Sequence, residues 1–206
     1  MQKKIVNYLK FVLSLIIMGF GIALVTKSNL GTSAISSIPY VLSKVFKLSF
    51  GTFTLIINLL YFFIQLIVLN KNFPKQQYLQ IIVGPILGLF IDLSMNILQN
   101  INSSIYILQI IILLIGCAVI GFSIWLQISA NVVTNPTEGM VKLIANKTNK
   151  EFSLVKILFD VFLVIAASII SIIGLGKIVG VREGTLISAF FVGYVIKFIN
   201  YISERV

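Results

Sequence analysis

The chain is 206 residues long, 58% hydrophobic and 11% charged, with a mean hydropathy of +1.06 and a formal net charge of +10. Its 16 basic and 6 acidic side chains cannot cover the surface of a soluble domain of this size, which excludes a water-soluble fold and points to an integral membrane protein in a lipid bilayer. The basic residues fall between apolar runs and not in a patch interleaved with aromatic residues, so the charge excludes nucleic-acid binding and fits loops facing anionic headgroups.

At the N-terminus, Lys3 and Lys4 precede an apolar run from Phe11 to Val25. No small-residue cleavage site follows, and Gly19-Phe20 recurs as Gly121-Phe122, so the run is expected to be a retained first helix. A bilayer-spanning helix takes roughly 20 apolar residues, and six segments qualify, at about 8–26, 49–70, 77–99, 105–128, 152–173 and 184–203. None alternates as a barrel strand does, so the expected fold is all-α. Pro39, Pro74, Pro85 and Pro136 mark loops or helix entries, and Asn100-Ile-Asn-Ser-Ser104 is a short connector between two halves.

Two polar stretches interrupt this pattern, Asn29 to Leu42 and Asn131 to Ile144. Each leads into a helix too short and too polar to span, at about 33–46 and 135–147. In the first, Ile35, Ile38, Leu42, Val45 and Phe46 repeat at helical spacing while Ser33, Ser36, Ser37, Tyr40 and Ser43 occupy the other face. In the second, Asn135 can cap, Pro136 fits the first helical position and Glu138 falls where a capping box places its acid. Two readings stay open: a capped helix lying at the surface, or a half-helix entering the membrane with free N–H groups facing a polar cavity.

A shift of 102 residues aligns the halves without a gap from Gly19 to Leu60. Gly19, Phe20, Ile22, Leu24, Asn29, Thr32 and Phe50 are identical to Gly121, Phe122, Ile124, Leu126, Asn131, Thr134 and Phe152, and Asn58 stands against Asp160. This is read as an internal repeat, one copy over about 8–99 and the other over about 105–203. Three spans per copy invert the second copy relative to the first, which would bring the two half-helix starts together near the midplane. Both termini are then expected in the cytoplasm. Lys3, Lys4, Lys10, Lys71, Lys75, Lys142, Lys147, Lys150 and Arg205 would lie inside, against Lys27, Lys44, Lys47, Lys177 and Arg182 outside.

The inventory for catalysis is poor. There is no histidine, no Gly-rich phosphate loop and no nucleophile elbow, and Cys117 is a lone cysteine in an apolar run. No catalytic residue, metal or cofactor is expected, and the chain is not read as an enzyme. Charged residues inside spans are costly, roughly 2.5–3.5 kcal/mol each, so Asp92, Lys156, Asp160 and Lys197 need partners or an interface. Lys156 and Asp160 stand one turn apart and can pair; Lys197 can snorkel; Asp92 has no basic neighbour within a turn. Gly84-x-x-x-Gly88 permits close helix approach, whereas Gly176, Gly180 and Gly184 read more simply as a turn.

The stretches G-F-G-I-A-L-V-T-K-S-N-L-G-T-S-A-I-S-S-I-P (19–39), S-F-G-T-F (49–53) and V-R-E-G-T-L-I-S-A-F-F-V-G (181–193) resemble the YczE/YyaS/YitT group of bacterial multipass membrane proteins, most closely its YczE branch. The resemblance implies a small protein of the bacterial cytoplasmic membrane without an agreed activity, and no site residues carry over from it. The expected function is a transporter or solute-binding permease for a small polar or amphipathic molecule. Asn29, Thr32, Asn131, Thr134, Asn135 and Glu138 would line the site, and Asp92 or Asp160 would couple to protons or ions. The alternative is a non-transporting membrane partner that scaffolds a biosynthetic or energising complex. A protein partner or homo-oligomer is left open.

Overall fold

A computed structural model describes residues 2–101 and 104–203. Residues 102 and 103 of the connector, and Arg205, lie outside the described residues. The fold is all-helical over that range: α1 (Gln2–Lys27), α2 (Ala34–Phe46), α3 (Phe50–Leu69), α4 (Gln80–Ile97), α5 (Tyr106–Ala130), α6 (Pro136–Thr148), α7 (Phe152–Leu175) and α8 (Glu183–Ser203), with two 3₁₀ turns between α3 and α4. Six of these are long and apolar enough to cross a membrane. The other two, α2 and α6, have 13 residues each, about 20 Å of helix against the roughly 30 Å of a hydrocarbon core. The helix α1 starts ahead of the expected residue 8, since neither Pro nor Gly interrupts the chain before Gly19.

The centre of the molecule is the antiparallel pair α1 and α5. Gly21 packs against Ile120, Gly116 against Val25, and Phe11 shares a cluster with Ala130. Each of these helices carries a parallel neighbour: α4 lies along α1, with Gly19 against Phe90, and α8 lies along α5, with Gly121 against Val192 and Val195. Met18, Ile22, Val25, Leu30, Phe50, Leu87, Ile91, Leu113, Cys117 and Ile120 form the main buried cluster. The short helices cross between halves. Val45 of α2 packs on Gly174 of α7, and Gly139 of α6 packs on Gln65 of α3.

Backbone punctuation recurs at the 102-residue spacing. Short helices start at Ala34 and Pro136 and end at Phe46 and Thr148, and the next helices start at Phe50 and Phe152. Left-handed residues recur in the same way, Asn29 (φ 61°) with Asn131 (φ 48°) and Lys47 (φ 55°) with Asn149 (φ 53°). Asparagine is among the few side chains that tolerate this region, and in both places it stops a long helix so that the chain can turn back.

The halves differ in how their last two helices meet. The helices α3 and α4 pack closely through Gly51 and Gly88, and a Cβ on Gly51 would come within 1.9 Å of the Gly88 carbonyl oxygen. Gly84 lies against Asn58 on the same interface. Their counterparts α7 and α8 barely touch. Both instead show large apolar side chains to the outside, as at Ile173 and Phe190, each 81% exposed. In a bilayer such a surface faces lipid or another helix.

Candidate functional site

The two polar breaks lie at opposite ends of the α1/α5 pair. The first is held by the segment ahead of α8: Gly184 N–H donates to the Leu30 carbonyl (2.7 Å), Thr32 N–H donates to Gly180 O (2.8 Å), and Arg182 Nη1 donates to Asn29 O (2.9 Å). Gly184 sits so close to Leu30 that a Cβ there would meet its carbonyl oxygen at 2.5 Å. Thr32 is 1% exposed, and Asn29 faces outward. This end is closed by main-chain bonds. Lys27, whose Nζ donates to Gln99 O (3.4 Å), belongs to it as well.

The second break is held by side chains. Thr134 N–H donates to Gln77 Oε1 (3.2 Å), the position matching the Thr32 bond of the first break. Gln77 accepts from Gln80 Nε2 (2.8 Å), Gln80 and Gln65 exchange amide bonds of 3.3 and 3.4 Å, and Gln65 Nε2 also donates to Pro136 O (3.0 Å). Gln65 and Gln80 are buried inside predicted spans, and this network, with a further bond from Gln65 Nε2 to the Tyr61 carbonyl of its own helix (3.1 Å), satisfies them. Asn135 caps α6 by accepting from Thr137 N–H (3.4 Å), while its Nδ2 reaches Met18 Sδ at 3.9 Å. Since Ala130 lies beside Phe11, the chain folds back along α1 between Ala130 and Asn135.

A capping box was expected at Glu138, but the cap bond is at Thr137 and Glu138 turns to a cavity. That cavity, about 430 Å³, is lined by Thr134, Glu138, Lys142, Ala145, Asn146, Lys150 and Phe152. A second of about 230 Å³ adjoins it and shares Thr134, Lys142 and Asn146, its inner wall formed by Gln65, Gln77 and Gln80. Glu138 keeps an edge open along the cavity, yet burial in the surrounding protein pushes its carboxyl above the usual range, opposed by Lys156 and aided by Asp160.

Of the charged groups in spans, Asp92, Lys156 and Asp160 have partners within the fold. Asp92 accepts from the Gly51 N–H at 2.7 Å and so completes the start of α3 from α4. Asp160 pairs with Lys156 at 2.5 Å. Lys197 is exposed.

Thus Thr134, Asn135 and Glu138 are brought together at one end, with Asn131 exposed just before them, while Asn29 and Thr32 stand at the other. Neither cavity at α6 is lined by a residue of the first break, and Asn135 reaches Met18, partway along α1. Antiparallel packing of α1 and α5 carries their C-terminal ends apart. Gln65, Gln77, Gln80, Lys142, Asn146 and Lys150 were missed. A lone Gln in the run Tyr61-Phe-Phe-Ile-Gln65-Leu was the available signal, because an uncharged polar side chain in a span also needs a partner.

Apolar spans, two short helices and a polar cavity at one end define a multipass helical membrane protein. The chain belongs to the family of unknown function DUF6198, which matches it over residues 5–201. It is 28% identical over 199 residues to the uncharacterized membrane protein YczE of Bacillus subtilis (strain 168), covering 96% of this chain and 86% of that protein. It is 25% identical over 187 residues to the uncharacterized protein YyaS of the same organism, covering 90% and 92% respectively. The resemblance read from residues 19–39, 49–53 and 181–193 is therefore to the right group. No solved structure matches.

Proposed function

We propose that this protein is a permease or solute-binding membrane protein that takes a small polar or amphipathic molecule at the α6 cavity. The observation that carries this reading is the polar path at that end, where the 430 Å³ cavity adjoins one backed by buried Gln65 and Gln80. Its volume lies in the range of small-ligand sites. A structural helix end needs no such lining. The proposal includes an inverted repeat, supported by the recurring boundaries and the antiparallel α1 and α5, with α6 and both termini on the cytoplasmic side of a bacterial cell membrane. The six-span arrangement is tested by cysteine labelling from outside intact cells in a background lacking Cys117. Labelling at Ser104 but not at Asn72 is expected, and the reverse would sink the orientation. A thermal-shift screen of purified protein, followed by flux of the hits into proteoliposomes, tests the function. Hits that bind but never cross would sink the permease and leave a binding protein.

A second reading is favoured by α7 and α8. Because they do not close on each other, their apolar faces leave room for a helix of a partner protein, as a scaffold would need. Mild-detergent purification that yields a stoichiometric partner supports it; a chain recovered alone from its native membrane opposes it.

A further inference from the structure

The α6 cavity is lined by two basic residues, Lys142 and Lys150, both exposed, with Thr134, Asn146 and one acidic residue, Glu138. Phe152 and Ala145 supply apolar wall. Lys147 stands on the same helix, and Asn72 and Gln77 of the α3–α4 connector, which also carries Lys71 and Lys75, border the adjoining cavity. The field at this end is therefore positive, with Glu138 as the carboxyl on the cavity wall and Glu151 beyond it. A lysine ammonium acts as a compact point charge with freely turning donors and serves phosphate oxygens without demanding a fixed donor geometry.

We propose that the α6 cavity binds a phosphodiester anion and that Glu138 takes up one proton when it does so. An ionised Glu138 on the same wall repels the anion, whereas a protonated one donates a hydrogen bond to it. Binding of the two is thus reciprocal: the anion favours the proton and the proton favours the anion. The groups that face Glu138 do not replace this role. From α7, Lys156 and Asp160 are already paired with each other; from α3, Tyr61 packs with Met140 and Leu143 of α6, its ring tilted against that of Phe159; on α6 itself Lys142 lies one turn further along. Burial, which disfavours the charged carboxyl, works in the same direction. The inference rests on the α6 cavity being the binding site, and holds for either source of the diester, a lipid headgroup or a free solute.

The test uses the full chain in phosphatidylcholine nanodiscs. Glycerophosphoglycerol, whose single charge does not change over the pH range used, is titrated as the soluble probe, and parallel discs contain phosphatidylglycerol. Affinity for one or both is expected to fall by about tenfold per pH unit once Glu138 ionises. Glu138→Gln should keep the acid-limb affinity with no pH slope, and Lys142→Gln should weaken binding about tenfold or more at every pH. Binding confined to the intact lipid assigns the site to membrane lipid; binding of the soluble diester assigns it to a solute. Proton uptake by the wild type in weak buffer, about one per diester bound, is a readout that needs no variant. No binding of either probe, no proton uptake, or an unchanged pH slope in a folded Glu138→Gln protein overturns the proposal. Proton-linked binding without flux would sink the permease and leave this site standing; flux of another solute with no binding of either diester would sink this site and leave the permease.

Discussion

The two halves of the molecule share their backbone punctuation and differ in the chemistry placed on it. Asn29 and Asn131 both turn the chain in the left-handed region, and short helices of equal length follow. Yet the first break is closed by main-chain bonds to Gly180 and Gly184, while the second is held by a glutamine side chain and opens on a cavity. Likewise α3 and α4 interlock where α7 and α8 do not. The residues 102 further on from Gly88 and Asp92 are Phe190 and Tyr194, too bulky for that contact and without a carboxylate to cap a helix start. One half is built as a closed wall, and the other keeps surface free for a ligand or a neighbour.

The largest way to break this comparison is to give the first half the second half's residue. Gly88→Phe puts a ring where a Cβ alone would lie 2.5 Å from the Gly51 carbonyl oxygen, and should cost about 3 kcal/mol or more. The measurement is thermal unfolding in detergent, with Phe190→Gly as the mild counterpart. Next, Asp92→Ala removes the acceptor of the Gly51 N–H, for an expected loss of about 1–3 kcal/mol, most of it restored by Asn. Tyr194→Phe, the equivalent change in α8, should stay within about 0.5 kcal/mol. If Asp92→Asn instead abolished ion coupling of a measured flux, the carboxylate would have a role beyond the helix start.

Smaller effects test the shared part. Asn29→Val and Asn131→Val should each cost roughly 1–2 kcal/mol and the Gly variants less, since both sites need a left-handed backbone. A Gly variant that unfolds normally but loses ligand at Asn131 alone would mark that side chain as part of the site. The smallest effect is a slope. The folded protein holds the Glu138 proton to higher pH than the unfolded chain, so stability should fall as pH rises from the ordinary carboxylate range through the raised value. Glu138→Gln should match the wild type at acid pH and lose that slope, read from unfolding midpoints across a pH series.

Much of the fold was legible because it is local. A bilayer demands long apolar helices, and each run declares itself without reference to the rest of the chain; even the short helices were placed to within a residue, because Ile35 to Phe46 repeat at helical spacing and Asn135 and Pro136 mark a helix start. The site was legible only in part. Thr134 and Glu138 stand out as polar residues in an apolar chain, but Asp92 offers no hint that its partner is a backbone N–H of Gly51 on another helix. Nor does Gln65 announce Gln80, fifteen residues on across a connector.

By itself, the sequence determined that this protein lives in a membrane, how many helices are long enough to cross it, where the chain breaks and that the breaks recur. The tertiary structure decided which breaks share a site. A similarity between Asn29 and Asn131 records a common backbone conformation, and a local conformation says nothing about distance. Distance was settled by the antiparallel crossing of α1 and α5 through Gly21 and Gly116, which sends the two breaks to opposite ends and leaves Glu138 with Lys142 and Lys150 instead of with Asn29. That crossing depends on close packing between segments some hundred residues apart, where shape, and not composition, selects the partner.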